Sequence, residues 1–275
     1  ATPQSTYGRT DVHFVSSVYY YASAAYVAKA AEVLELPEKA AYEQLASHIR
    51  SAILEEYVTP TGRLAIDTQT AYLLALRFGL CPDKEKAIAA FQNRFKKDCR
   101  HLTGGFVGAT MMNTVLADNG MADIAYDLLC YEGFPGWLYA VNLGATTIWE
   151  RWDGLNEQGE CPIGDDGTDI MISYNHYASG AVGDFLYRRT AGIEEIQPGY
   201  RRFRVQPLPG GDLTWAESHT ETPYGKIALR WERNGSDFTL DLTVPMGTEC
   251  DLTLPDGSSK TLQSGHYVRK CQMKG

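Results

Sequence analysis

Apolar residues recur at helical spacing as far as Gln197-Pro198-Gly199 and at alternate positions beyond it. From Asp11 to about Leu36, Val12, Val15, Tyr19, Ala22 and Tyr26 follow one stripe, while Tyr20, Tyr21, Ala24, Ala25 and Ala28 fill the other faces. That spacing predicts a helix capped by Asp11 and enclosed by neighbours on several sides. Pro37 suits the first turn of a second, amphipathic helix reaching about Tyr57, with Tyr42, Leu45, Ile49 and Ile53 inward. A third helix is predicted from about Thr68, burying Ala71, Leu74, Ala75 and Phe78 and stopping at Gly79. Pro82 opens a fourth, charged one with Ile88, Phe91 and Phe95 inward.

Two shorter helices, about Gly108 to Asp118 and Met121 to Tyr131, are separated by the breaker Asn119-Gly120. An irregular stretch from Glu132 to about Ser173 follows, then a seventh helix from about Asn175 to Ala191. In that last helix Gly180 and Gly183 are read as allowing another backbone to come close. Helices that alternate well-covered with amphipathic, joined by short turns, suggest antiparallel hairpins and an α/α barrel.

Past residue 197 about seven strands are predicted, with Pro-Gly, Asn-Gly and Asp-Gly between them, as in a small antiparallel β-sandwich. The expected domains are therefore residues 1–197, mainly α, and residues 198–275, β. The sandwich is expected to support the helical part.

Composition removes several classes of function. The 275 residues carry a formal net charge of -9 with both signs interspersed, which leaves no basic stripe for phosphates. Nucleic acid and an anionic membrane surface are not expected as partners on that ground, and no apolar run has the length of a membrane span. The six cysteines are scattered without a C-x-x-C pair and read as free thiols, which suits a reducing compartment. The segment is expected to carry no targeting signal of its own; the parent's compartment, cytoplasmic or periplasmic/secreted in a bacterium, stays open, with the thiols leaning to the cytoplasm.

Chemistry gathers in Gly144-Ala-Thr-Thr-Ile-Trp-Glu-Arg-Trp-Asp-Gly154. Glu150 stands between Trp149 and Trp152, whose flat faces suit the C–H surface of a sugar ring. Arg151 would favour the ionised carboxylate, and an ionised, positioned Glu is a general base. A buried structural Glu in an aromatic turn is the competing reading. Trp137, after Phe134-Pro-Gly, is either a pocket wall or core packing, and Asp153 is read as structural. Gly164-Asp-Asp-Gly-Thr-Asp169 lacks the ligand spacing of a calcium loop. A turn needing positive φ explains Gly104-Gly105 beside His101.

These segments resemble the bacterial α-L-rhamnosidases of glycoside hydrolase family 78. Gly144 to Gly154 is similar to that family's catalytic signature, and Ser173-Tyr-Asn-His-Tyr-Ala-Ser-Gly-Ala-Val-Gly183 to its second. Pro198-Gly-Tyr through Thr222-Pro-Tyr-Gly225 to Trp231 resembles the start of its C-terminal sandwich. The resemblance implies a barrel of the six-hairpin type with twelve helices, release of terminal α-L-rhamnose with inversion, and no cofactor or metal. It implies Glu150 as general base and His176 as a hydrogen-bonding partner of the sugar, while Trp137 and Trp149 are candidates for binding the sugar from their own residue chemistry. The family's general acid lies in an upstream acidic segment with no counterpart here. Seven helices in place of twelve then make the chain the C-terminal part of a longer enzyme, inactive alone. Its expected partners are a rhamnose-containing glycoside or polysaccharide and the missing N-terminal part. A non-catalytic carbohydrate-binding or scaffold protein is the alternative.

Overall fold

A computed structural model describes residues 10–161, 163 and 171–273. The acidic Gly164–Asp169 loop lies outside them. By packing, the chain forms two units, one ending at Val115 and the other starting at Leu116.

The first unit holds α1 (Val12–Val33), α2 (Lys39–Tyr57), α3 (Gln69–Arg77), α4 (Lys84–Lys97) and α5 (Phe106–Ala109). Asp11, the cap read from the sequence, accepts from the Phe14 amide at 2.8 Å, and the structure adds Thr68 and Asp83 as caps of α3 and α4. Helix α1 packs mainly against α2, where Phe14 meets Tyr57 edge to face, and touches α3, with Tyr19 edge to face against Phe78. Tyr20, Tyr26 and Val27 are exposed, so the expected enclosure on several sides is not present within this unit. The glycines at 104 and 105 are also read differently by the structure. Neither has positive φ; a Cβ on Gly104 would press on Gly108, and one on Gly108 on the Thr70 hydroxyl, so close approach explains Gly104 and Gly108. Buried Gln69 ties this corner, donating to Asp98 and to the His101 carbonyl and accepting from the Thr103 amide.

Helix α6 (Met112–Asp118) carries the division between units, and α7 (Ala122–Leu129) and α8 (Trp137–Asn142) follow. The stretch expected as one helix from Asn175 to Ala191 is broken into α9 (Tyr177–Gly180), α10 (Val182–Phe185) and a π-helix, Leu186–Ala191. Two glycines within four residues weaken helical continuity there. A Cβ on Gly183 would meet nothing within 4 Å, and one on Gly180 only the Ile148 side chain at 3.9 Å, so no backbone comes close among the described residues.

Eight strands build the sandwich: β1 (Ile193–Glu195), β2 (Arg202–Val205), β3 (Trp215–Thr222), β4 (Gly225–Asn234), β5 (Asp237–Val244), β6 (Glu249–Thr253), β7 (Ser259–Leu262) and β8 (Gly265–Gln272). The sheets run β1-β2-β6-β7 and β3-β4-β5-β8, antiparallel except for the β2–β6 pair. Strict alternation sends Phe238, Leu240, Leu242 and Val244 of β5 inward, opposite Ile227, Leu229 and Trp231 of β4 and against Phe203 and Val205 of β2. A two-residue loop led by Gly235 at φ +58° joins β4 to β5.

Two polar anchors join this core to the preceding helical segment. The Trp231 indole donates to the Thr190 carbonyl at 2.8 Å. The Tyr126 hydroxyl donates to the Leu208 carbonyl at 2.6 Å and lies 3.0 Å from the Thr190 hydroxyl, and burial pushes its pKa up to about 12. Tyr126→Phe is expected to cost about 1–2 kcal/mol, because it leaves a buried carbonyl without its donor. Urea unfolding should show the midpoint fall with the slope unchanged; an unchanged midpoint would mean that water replaces the hydroxyl. Among the described residues no helix is long and apolar enough to cross a membrane.

Candidate functional site

Two segments lie side by side here. The Glu150 amide donates to the Ser173 carbonyl at 2.8 Å, the His176 amide to the Ile148 carbonyl at 2.8 Å, and the Thr147 hydroxyl to the Tyr174 carbonyl. The two motifs singled out in the sequence, whose paired residues are 23 to 28 positions apart, are therefore hydrogen-bonded neighbours. Within that frame the half-buried Glu150 accepts from the Ser173 amide through Oε2 at 2.7 Å. Among the described residues its Oε1 has no hydrogen-bond partner. One oxygen fixes the carboxylate and the other can take a proton from water.

Arg151 donates from Nε and Nη2 to both oxygens of Asp153, each at 2.8 Å. The fork expected to support Glu150 is thus engaged by the carboxylate two residues on, because a planar guanidinium matches a carboxylate edge to edge. That hydrogen bond, helped by the charge and opposed by burial, holds the Asp153 pKa below its ordinary 3.8. A lowered folded pKa means the pair adds stability above the unfolded value, which is lost as pH falls through the folded one. Asp153→Asn is expected to lower the melting temperature at neutral pH, by about 1 kcal/mol of stability, with the gap to wild type closing below about pH 4. A gap that persists into acid would assign the effect to packing.

The three tryptophans are buried. Trp137 and Trp149 are each 6% exposed and Trp152 is 7%. Trp149 meets Tyr174 edge to face at 5.6 Å between centroids, and Trp137 meets Trp152 likewise at 5.1 Å. The Trp137 indole donates to the Ser179 carbonyl at 2.8 Å, and Gly154 leaves room for the Trp149 ring. The cavity among these indoles measures only about 20 Å³. A larger one, about 280 Å³, is lined by Phe134, Tyr139, Asp153, Asn156, Glu160 and Cys161. His176 caps α9, its Nδ1 accepting from the Ala178 amide at 3.2 Å, which in the neutral ring puts the proton on Nε2.

Sequence reasoning missed the Ser173 amide as the anchor of Glu150 and the Phe134–Tyr139 edge-to-face pair as the aromatic lining of the larger pocket. Phe134 stood in a quoted motif; nothing local marks Tyr139 or a backbone donor.

Comparison with known proteins identifies the scaffold. The model of the bacterial α-L-rhamnosidase six-hairpin glycosidase domain matches residues 1–190, and that of the bacterial α-L-rhamnosidase C-terminal domain matches residues 192–269. The chain belongs to the bacterial α-L-rhamnosidase family. Its fold is a six-hairpin glycosidase domain followed by a β-sandwich. It is 36% identical over 236 residues to an α-L-rhamnosidase of Streptomyces avermitilis, and 36% identical over 262 residues to one of Formosa agariphila. Those matches take in 84% and 93% of this chain but 22% and 28% of the relatives. The crystal structure of the Streptomyces avermitilis α-L-rhamnosidase complexed with L-rhamnose matches 94% of the chain and 27% of its own, with a TM-score of 0.85 at 31% identity. That of the Aspergillus terreus enzyme matches 97% and 31%, with a TM-score of 0.87 at 30% identity. The chain thus spans about a quarter of the length of the curated relatives it matches.

Proposed function

We propose that this chain contributes the general base to an inverting glycoside hydrolase that releases terminal α-L-rhamnose. The observation that carries the reading is the state of Glu150: Oε2 is held by the Ser173 amide, while Oε1 has no described partner. In the reaction Glu150 takes a proton from water as the water oxygen bonds to the anomeric carbon and the bond to the leaving oxygen breaks. An acid on the opposite face of the sugar, about 6.5–9.5 Å away, gives that oxygen its proton. In this family the resemblance places the acid upstream, in polypeptide beyond this chain, and relatives about four times as long leave ample length for it. The exposed faces of α1, at Tyr20 and Tyr26, and of the 175–191 segment, at Tyr177 and Tyr187, are surfaces such polypeptide would cover.

His176 would hydrogen-bond the sugar. Trp137 and Trp149, being buried, act as a rigid backing to the pocket more than as an open platform. The division into residues 1–197 and 198–275 is kept as the proposed line between the hydrolytic part and the sandwich, with strand β1 (Ile193–Glu195) falling before it. The test is hydrolysis of an aryl α-L-rhamnoside by the polypeptide at the length of its relatives, with the anomer first released read by NMR. β-L-Rhamnose is expected, and this chain alone should be inactive. Release of the α anomer would remove the inverting mechanism; no release from any rhamnoside would favour a carbohydrate-binding protein.

A further inference from the structure

A second site lies on the sandwich, in a cleft of about 500 Å³ among Gln197, Arg201, Glu249, Gln263 and Ser264. Its walls come from three places: the turn entering β2, the β5–β6 connection and the β7–β8 turn. Each of these is pinned. The Glu195 carboxylate accepts from the Gly199 and Tyr200 amides, and the Glu249 amide donates to the Arg201 carbonyl at 3.0 Å. The Thr248 hydroxyl donates to the Pro245 carbonyl, and the Tyr267 hydroxyl to the Gln263 carbonyl, both at 2.8 Å. A Gly at 247, with φ +79°, makes the middle turn.

The side chains facing this cleft offer both donors and acceptors. Arg202 is neutralised by Asp251 through a two-point contact at 2.9 and 3.1 Å. Arg201 next to it is exposed, and its guanidinium has no ion pair or hydrogen bond among the described residues. Glu249 accepts from the Gln263 amide at 3.0 Å through one oxygen, leaving the other for a ligand. The Gln197 amide and the Ser264 hydroxyl complete the set. One cation faces one carboxylate, so the cleft has no net charge with which to collect anions, and it has almost no apolar lining for an aglycone. Alternating donors and acceptors on a pinned, roomy, polar surface match vicinal hydroxyl groups.

We propose that this cleft binds a neutral saccharide, separately from the Glu150 site, so that the β-sandwich is itself a sugar-contacting domain. It departs from the supporting role expected of the sandwich and does not depend on the Glu150 reading. Water competes for every hydrogen bond and no aromatic face adds to them, so the dissociation constant is expected on the order of 1 mM.

The ¹⁵N-labelled chain would be titrated with L-rhamnose, D-xylose and cellobiose, and with glucuronate and sulfate as anionic probes. At least one neutral saccharide should shift the amides of Gly247, Glu249 and Ser264 saturably. Glu150→Gln should leave those shifts intact, while Arg201→Ala should weaken binding about tenfold. Ser264→Trp, which fills the cleft without removing a buried group, should abolish them. Absence of shifts with all three neutral saccharides, shifts with the anions alone, or binding unchanged by both Arg201→Ala and Ser264→Trp would overturn the proposal.

Discussion

Glu150→Gln in the full-length polypeptide is expected to lower kcat on an aryl α-L-rhamnoside by on the order of a hundredfold or more, with little change in melting temperature. The substitution isolates the proton-accepting step. Glutamine keeps the size of the side chain, and its amide oxygen can still accept from the Ser173 amide that holds Oε2 at 2.7 Å in the wild type. The segment should therefore stay paired with residues 173–176. What is lost is basicity: a neutral amide cannot take the proton from water, and general-base assistance is worth about 10²–10⁴ in rate. Glu150→Ala is a different experiment. It would leave the Ser173 amide without its acceptor and mix a folding defect into the kinetic one. Azide supplied to the Glu150→Ala enzyme should restore part of the rate, because a small anion can enter the space and attack the anomeric carbon itself. A Glu150→Gln enzyme within a few fold of wild type would return Glu150 to the structural reading.

The largest effect on stability is expected from Gly192→Ala. Gly192 ends the π-helix at φ +90°, accepts from the Gln206 amide at 2.9 Å, and is buried. A Cβ there would overlap the Gln206 carbonyl carbon and the Pro207 nitrogen, which are backbone atoms and cannot swing aside. Left-handed strain of about 1 kcal/mol and overpacking of about 1–3 kcal/mol act together. The sum, about 3 kcal/mol, corresponds to a fall of roughly 6 °C or more for a chain of this size. Gly120→Ala is the matched control, because Gly120 also has positive φ, +74°, but nothing within 4 Å of its Cβ position. It should cost only the strain. Equal losses in the two variants would show that strand β2 and its extension move to admit the methyl group.

How much of this was legible in the chain differs from element to element. The Asp11 cap and the alternation of β5 depend on residues a few positions apart, so pattern reading places them, whereas Thr68 and Asp83 were recognised as caps only in the structure. Strand β1, only three residues long, and helix α8, short and inside an irregular stretch, present too few periods to be recognised. The broken helix at 177–191 escaped because its apolar spacing is continuous, while the end of the segment is set by contact of Gly192 with Gln206 and Pro207. At the site, Trp-Glu-Arg-Trp-Asp pointed to the carboxylate, but Arg151 was assigned to the wrong acid. Adjacency in sequence does not say that Nε and Nη2 would both reach Asp153.

By itself the sequence determined the helical and strand-rich parts, the Asp11 cap, the alternation of the strands and, through its two motifs, the family. All of these depend on local periodicity, backbone preference or side-chain identity, which are properties of short stretches. Only the tertiary structure decided that Ser173 holds Glu150, that the indoles lie edge-on in the interior, and that Trp231 reaches the Thr190 carbonyl and Tyr126 the Leu208 carbonyl to join sandwich and helical segment. Those facts come from partners 15 to 82 positions apart, whose meeting is governed by how whole elements pack and not by any preference the intervening residues carry.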